Sequence, residues 1–167
     1  MAVEEYRKAL KLGKKYYRTC TLSGESLYLP VLEQMLQNTT IISQESLGIV
    51  EIPLEQIVGT YYNGRQPTFT HGFLPLMDEN TEFAQKWIAL CAAHLDTGIH
   101  DPIVAYEFMN KFYVVEGHKR VSVLKHFGAF SLRGSVTRMI PQPDDSTESH
   151  IYTEFLQFYK ITGINCL

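Results

Sequence analysis

The run Phe112-Tyr113-Val114-Val115-Glu116-Gly117-His118-Lys119-Arg120-Val121 constrains the fold more than any other stretch, because two periodicities meet there at one glycine. Before Gly117 lie β-branched and aromatic residues suited to a strand. After it, Val121, Leu124 and Phe127 recur at helical spacing, and Gly128 stands where a left-handed C-terminal cap belongs. A strand that turns into a helix within one or two residues aims the backbone N–H groups of the first helical turn at a common point, a natural place for an anion. Gly117 lacks a Cβ, so it accepts an unusual backbone angle and lets a ligand approach the main chain. Lys119 and Arg120 in that first turn oppose the helix dipole. For stability alone they are mildly unfavourable, and they make better sense with an anion held between them and the turn. The plainer reading of the same pair is two exposed surface cations.

At 167 residues and 45% hydrophobic content the chain is sized for one compact domain with a real core. A formal net charge of -3 argues against a surface that binds nucleic acid all over, although it leaves room for a local basic patch. No apolar run approaches the roughly 20 residues that span a bilayer. The opening MAVEEYRKALKLGKK lacks the apolar core of a secretory signal, so a cytoplasmic location without membrane contact is expected. Cys20, Cys91 and Cys166 make an odd set without a C-x-x-C spacing, which points to free thiols and away from a disulfide framework or a thiolate zinc site.

Along the chain, residues 3–18 read as a helix with Tyr6, Leu10 and Tyr17 on one flank and Arg7, Lys8, Lys11, Lys14, Lys15 and Arg18 on the other. That basic flank reads as a solvated face, and no site is assigned to it. Leu29 to Leu36 reads as a second helix with Pro30 in its first turn, Leu47 to Pro53 as a strand, and Leu54 to Val58 as a turn or helical piece. A helix is expected from Thr81, a plausible N-cap, to Asp96, with Gly98 ending it. Residues 102–106 and 111–115 read as a hairpin or neighbouring strands, and Gly134 to Ile140 as a last strand. A polar linker at 141–149 then leads to an aromatic helix, Ile151 to Tyr159.

From Glu51 to Val136 the chain resembles the ParB/sulfiredoxin superfamily. The pieces that carry the resemblance are Ile52-Pro53-Leu54-Glu55-Gln56-Ile57, Asn63-Gly64-Arg65-Gln66-Pro67, Gly98-Ile99-His100-Asp101-Pro102-Ile103-Val104, and the strand, glycine turn and helix of residues 112–128. The resemblance implies an α/β (α+β) fold, a small mixed sheet with flanking helices. It divides the chain into a helical extension at 1–46, a core at 47–140 and a C-terminal helix at 150–167. It also implies a pocket for a nucleoside di- or triphosphate such as CTP, ATP or ADP, with or without magnesium. In that pocket Gly98, Ile99, Asp101, Pro102 and Ile103 contact the base or sugar, Gly117, His118, Lys119 and Arg120 hold the phosphates, and Arg65 lies near the ligand. Sulfiredoxins carry Gly-Cys-His-Arg at this turn, and His118 stands where their reactive thiolate would be, so sulfiredoxin chemistry is not expected. The metal-binding segment and helix-turn-helix of the partition proteins are not found in residues 137–167. An acidic residue before Gly-His looks closer to the ParB-like free-serine kinase.

Three functions stay open at this point. The first is a nucleotide-binding module, the sensor or regulatory front of a longer polypeptide, suggested by the apolar end Ile164-Asn165-Cys166-Leu167. The second is a small-molecule kinase or nucleotide hydrolase with Glu116 as magnesium ligand or base, against the plainer reading of a solvated acid at a strand end. The third is a DNA-associated domain whose basic first helix contacts phosphate. The histidines show no metal spacing, and Trp87 with the many tyrosines and phenylalanines falls at core spacings.

Overall fold

The computed structural model describes residues 1–163, with Arg65 and Gln66 given by backbone alone. The last four residues, on which the expectation of a continuing chain rests, lie outside the described residues. The element order is α1 (Ala2–Ser23), α2 (Leu32–Leu36), β1 (Ile41–Pro53), β2 (Ile57–Thr60), α3 (Glu82–Asp96), β3 (Ile103–Phe108), β4 (Lys111–Glu116), α4 (His118–His126), β5 (Ser131–Pro141) and α5 (Thr147–Thr162). The strands form one mixed sheet in the order β1-β5-β3-β4-β2: β1 runs antiparallel to β5, β3 parallel to β5, β4 antiparallel to β3, and β2 parallel to β4. This is the mixed α/β architecture expected from the sequence.

Alternation along the strands sorts the core into two faces. Ile52, Ile103, Ala105, Phe112, Val114 and Val136 pack on one side with Val121 and Leu124 of α4. Leu32, Tyr113 and Met139 are buried on the other, with Tyr106 and Phe108 against them. A further cluster joins Tyr6 and Ala9 of α1, Trp87 and Cys91 of α3 and Val123 of α4. Each fully buried large side chain of this kind contributes about 1.5–3 kcal/mol. The cluster is also pinned by polar contacts: Trp87 Nε1 donates to Ser122 Oγ at 2.8 Å, and Ser122 Oγ donates to the Phe73 carbonyl at 2.6 Å. These bonds fix the distance between α3 and α4, the two helices that flank the Gly117 turn.

Several expectations hold closely. Thr81 caps α3, its side chain accepting from the Ala84 N–H at 3.2 Å, and Gly128 closes α4 with φ 68°. Others are corrected. β1 begins at Ile41, upstream of the expected strand, because its first half is polar and mostly exposed on both faces and so lacks the alternation that marks a strand. The piece after it is a 3-10 turn, Leu54–Gln56, followed by the unforeseen strand β2. Leu29 to Val31 is extended, not helical: Tyr28 bridges to Thr70 and Val31 to Thr60, and the helix starts only at Leu32. α5 starts inside the expected linker, capped by Ser146, whose hydroxyl accepts from the Ser149 N–H at 3.1 Å.

A buried ionic cluster anchors α5. Glu107 and Arg138 are register partners on β3 and β5, both fully buried, and Arg138 Nε donates to Glu107 Oε2 at 2.9 Å. Tyr152 of α5 donates its hydroxyl to the same oxygen at 2.8 Å, and the Asn110 N–H donates to Glu107 Oε1 at 2.6 Å. The Arg138 guanidinium lies 5.1 Å from the Phe155 ring centroid and 4.6 Å from that of Tyr159.

Candidate anion-binding site

β4 delivers Glu116 to the end of the sheet, where it pairs in register with Val104, and the chain turns into α4 through Gly117 at φ 106°, ψ 24°. A Cβ on Gly117 would lie 2.5 Å from Ile103 Cγ2, so glycine is required by packing against β3 as well as by the left-handed backbone. Gly117 is the N-cap of α4 and has no side chain to accept from the first-turn N–H groups.

Between this turn and α3 lies a cavity of about 380 Å³, lined by Lys86, Ala89 and Leu90 of α3 on one side and residues 116–120 on the other. Lys86, Lys119 and Arg120 bring three cations to it, and Glu116 one acid. Lys86 is paired on its solvent side with Glu82 at 2.8 Å, an exposed contact that holds the Glu82 carboxyl below its ordinary range. Lys119 Nζ sits 5.1 Å from the Phe83 ring centroid. Glu116 is exposed at the rim.

The remaining residues named from the sequence fall into different places. The His118 ring is buried, with Nε2 2.7 Å from Thr60 Oγ1 and its plane stacked on Phe69 at a centroid distance of 6.3 Å. Thr60 Oγ1 also donates to the Val114 carbonyl at 3.3 Å, so the set is satisfied when His118 Nε2 carries the proton. The ring is thus a buried group joining β2 to α4, not a side chain facing water. Arg120 Nη1 donates to the carbonyls of Asp101 and Pro102 at 3.1 and 2.8 Å. It therefore ties residues 98–103 to the turn.

Gly98 ends α3 with φ 85°, its N–H donating to the Ala93 carbonyl at 3.1 Å. Ile99 packs partly buried beside two core clusters, Asp101 is exposed, and Ile103 is fully buried beneath Gly117. None of the residues from 98 to 103 lines this cavity; the Asp101 and Pro102 carbonyls and the Ile103 side chain contact the turn from behind. Arg65 lies in the 3-10 turn Asn63–Thr68, and its side chain is outside the described residues. Sequence reasoning missed Lys86, Ala89 and Leu90. Their spacing puts them on one face of α3, but which face meets the turn is a tertiary fact.

Cys20 and Cys91 are free and buried, and burial pushes the Cys91 thiol above its ordinary range. Among the described residues no group of three or more His, Cys, Asp or Glu side chains could hold a metal ion, and no helix is long and apolar enough to cross a membrane.

No family model matches the chain, and neither does any curated protein. Among solved structures it is similar to the crystal structure of sulfiredoxin from Arabidopsis thaliana, at 24% sequence identity and a TM-score of 0.36, over 53% of this chain and 82% of that chain.

Proposed function

We propose that the cavity between α3 and the Gly117 turn binds the phosphates of a nucleotide, and that the chain acts as a nucleotide-responsive regulatory module. The observation that carries this reading is the gathering of Lys86, Lys119 and Arg120 around the start of α4, with Glu116 as the one acid among the lining residues. Cations in a first helical turn repel the positive end of the dipole. A phosphate relieves that repulsion, accepting from the backbone N–H groups and from the ammonium groups at once. Arg120 couples the turn to the loop between α3 and β3 through the Asp101 and Pro102 carbonyls, which offers a route for a bound phosphate to act at a distance.

Glu116 favours a second reading, phosphoryl transfer or hydrolysis. An exposed carboxylate at the rim is suited to share a magnesium ion with a bound phosphate, since such ions commonly take one or two carboxylates plus substrate oxygens.

The test is thermal shift and calorimetry with pyrophosphate, CTP, ATP, ADP and GTP, each with and without magnesium, on the wild type and on Lys86→Ala and Lys119→Ala. Saturable binding is expected, weakened about tenfold by either substitution, the equivalent of about 1.4 kcal/mol. Binding by none of these compounds sinks the proposal. Phosphate release that disappears in Glu116→Gln establishes the second reading.

A further inference from the structure

We infer that the outer face of α1 is a docking surface for single-stranded nucleic acid. Arg7, Lys11, Lys14 and Arg18 follow one another at steps of four, three and four residues, so they form one stripe along the helix, flanked by Lys15. At 1.5 Å per residue the stripe is about 16 Å long, enough to follow several phosphates of one strand. Arg7 is engaged by Glu79 at 2.7 Å and Lys14 loosely by Asp78 at 3.4 Å. Lys11, Lys15 and Arg18 have no ion pair among the described residues. The helix dipole does not account for them either, because the last turn of α1, where it favours cations, has no basic residue.

What separates this surface from an ordinary solvated face is the pair of hollows beside it. One, of about 230 Å³, is lined by Arg7, Leu10 and Lys11 together with Lys14 and Arg18. The other, of about 510 Å³, shares Lys14 and Arg18 and is walled by Tyr17, Tyr28, Pro67 and Leu76. Tyr17 is 45% exposed. A rail of cations beside an aromatic and apolar slot matches the two needs of an unpaired strand, neutralised phosphates and a ring for a base to stack on. A duplex hides its base faces and would leave the slot empty. An acidic peptide would use the rail alone.

The test is fluorescence anisotropy of the full chain with labelled mixed-sequence DNA and RNA strands of about 15 nucleotides, at about 50 and 200 mM salt. Comparison arms are the matching duplex, polyglutamate and phosphatidylserine vesicles. The strand should bind more tightly than every comparison arm and, with three phosphate contacts, lose about twentyfold in affinity over that salt range. Tyr17→Ala should weaken strand binding about tenfold. A Lys11→Gln, Lys15→Gln, Arg18→Gln triple variant, checked for an unchanged melting curve, should lose strand binding, whereas Lys119→Ala should keep it. No strand binding at the lower salt, equal affinity for any comparison arm, an unaffected triple variant, or loss of binding in Lys119→Ala would overturn the inference. Apart from loss of binding in Lys119→Ala, which would move the phosphate contacts to the Gly117 turn, these outcomes leave nucleotide binding at that turn untouched.

Discussion

The two ends of the β3–β4 hairpin carry the same kinds of charge and put them to opposite use. At the closed end Glu107 is surrounded by Arg138, Tyr152 and the Asn110 N–H, and both members of the ion pair are fully buried. Burial pushes the Glu107 carboxyl above its ordinary range, and the charge of Arg138 and the three hydrogen bonds pull it back. At the open end Glu116 is exposed, and Lys86, Lys119 and Arg120 outnumber it around a cavity of about 380 Å³. The lesson is that charge by itself does not mark a site. Glu107 and Arg138 are neutralised by each other, and the Arg138 guanidinium also lies against the aromatic rings of α5, so the pair presents no excess charge. An excess of one sign beside open volume is a condition that a ligand can relieve.

The largest effect should come from breaking the closed end. Arg138→Ala leaves Glu107 buried without its cation, at a cost of about 3–5 kcal/mol, and should lower the melting temperature by about 10 °C or more. Glu107→Leu combined with Arg138→Met should recover most of that loss, since an apolar pair of similar volume avoids the desolvation. Calorimetry on the three variants checks both statements. A harmless Arg138→Ala would mean that the cluster does not anchor α5.

Arg120→Ala comes next and sharpens the contrast, because Arg120 belongs to both kinds of site. Loss of its charged donors to the Asp101 and Pro102 carbonyls should cost about 1.5 kcal/mol in chemical denaturation. Nucleotide affinity should fall with it, beyond the change seen in Lys119→Ala. Stability lost with affinity intact would make Arg120 purely a strut.

A third acid lies between these extremes. Glu5 of α1 accepts from Lys8 Nζ at 2.7 Å and lies 2.7 Å from His126 Nε2 of α4, and the Lys8 hydrogen bond first, then that of His126, holds its carboxyl below the ordinary 4.5. A depressed folded value means that the stability it contributes is present above the unfolded value and is lost as the pH falls through the folded one. The gap between wild type and Glu5→Gln in melting temperature should therefore be fully open above the ordinary carboxylate range and narrow as the pH falls below it. A gap that persists at the acid end would assign the effect of Glu5 to packing.

The smallest effect concerns the hairpin turn itself. Met109 and Asn110 both have positive φ, 53° and 63°, which brings the Asn110 N–H onto Glu107. Asparagine suits the first of these positions better than methionine, so Met109→Asn should stabilise by about 0.5 kcal/mol, a rise of about 1–2 °C. A lower melting point would show that the packing of the Met109 side chain outweighs its backbone strain.

What was legible in the sequence is what near neighbours decide. The junction at Gly117, the cap at Thr81, the left-handed Gly128 and the β3–β4 pair each depend on residues within a few positions, where steric limits and local hydrogen bonds act without help from the rest of the chain. The cationic character of the turn was visible for the same reason. Tertiary structure decided everything that depends on which surface meets which. The polar first half of β1 is a strand only because β5 supplies its hydrogen bonds, and β2 only because β4 lies beside it. Glu107 and Arg138 stand 31 residues apart, and no local pattern distinguishes such a buried pair from two solvated charges. Thr60 reaches His118 across 58 residues and turns its ring inward. Lys86 becomes part of the site only through the angle at which α3 packs on α4, and that angle comes from Trp87, Ser122 and Phe73. Periodicity shows that a helix has a face. The partner that buries one face and leaves the other open is chosen by the summed packing of distant residues, and that sum is not written in any one stretch of the chain.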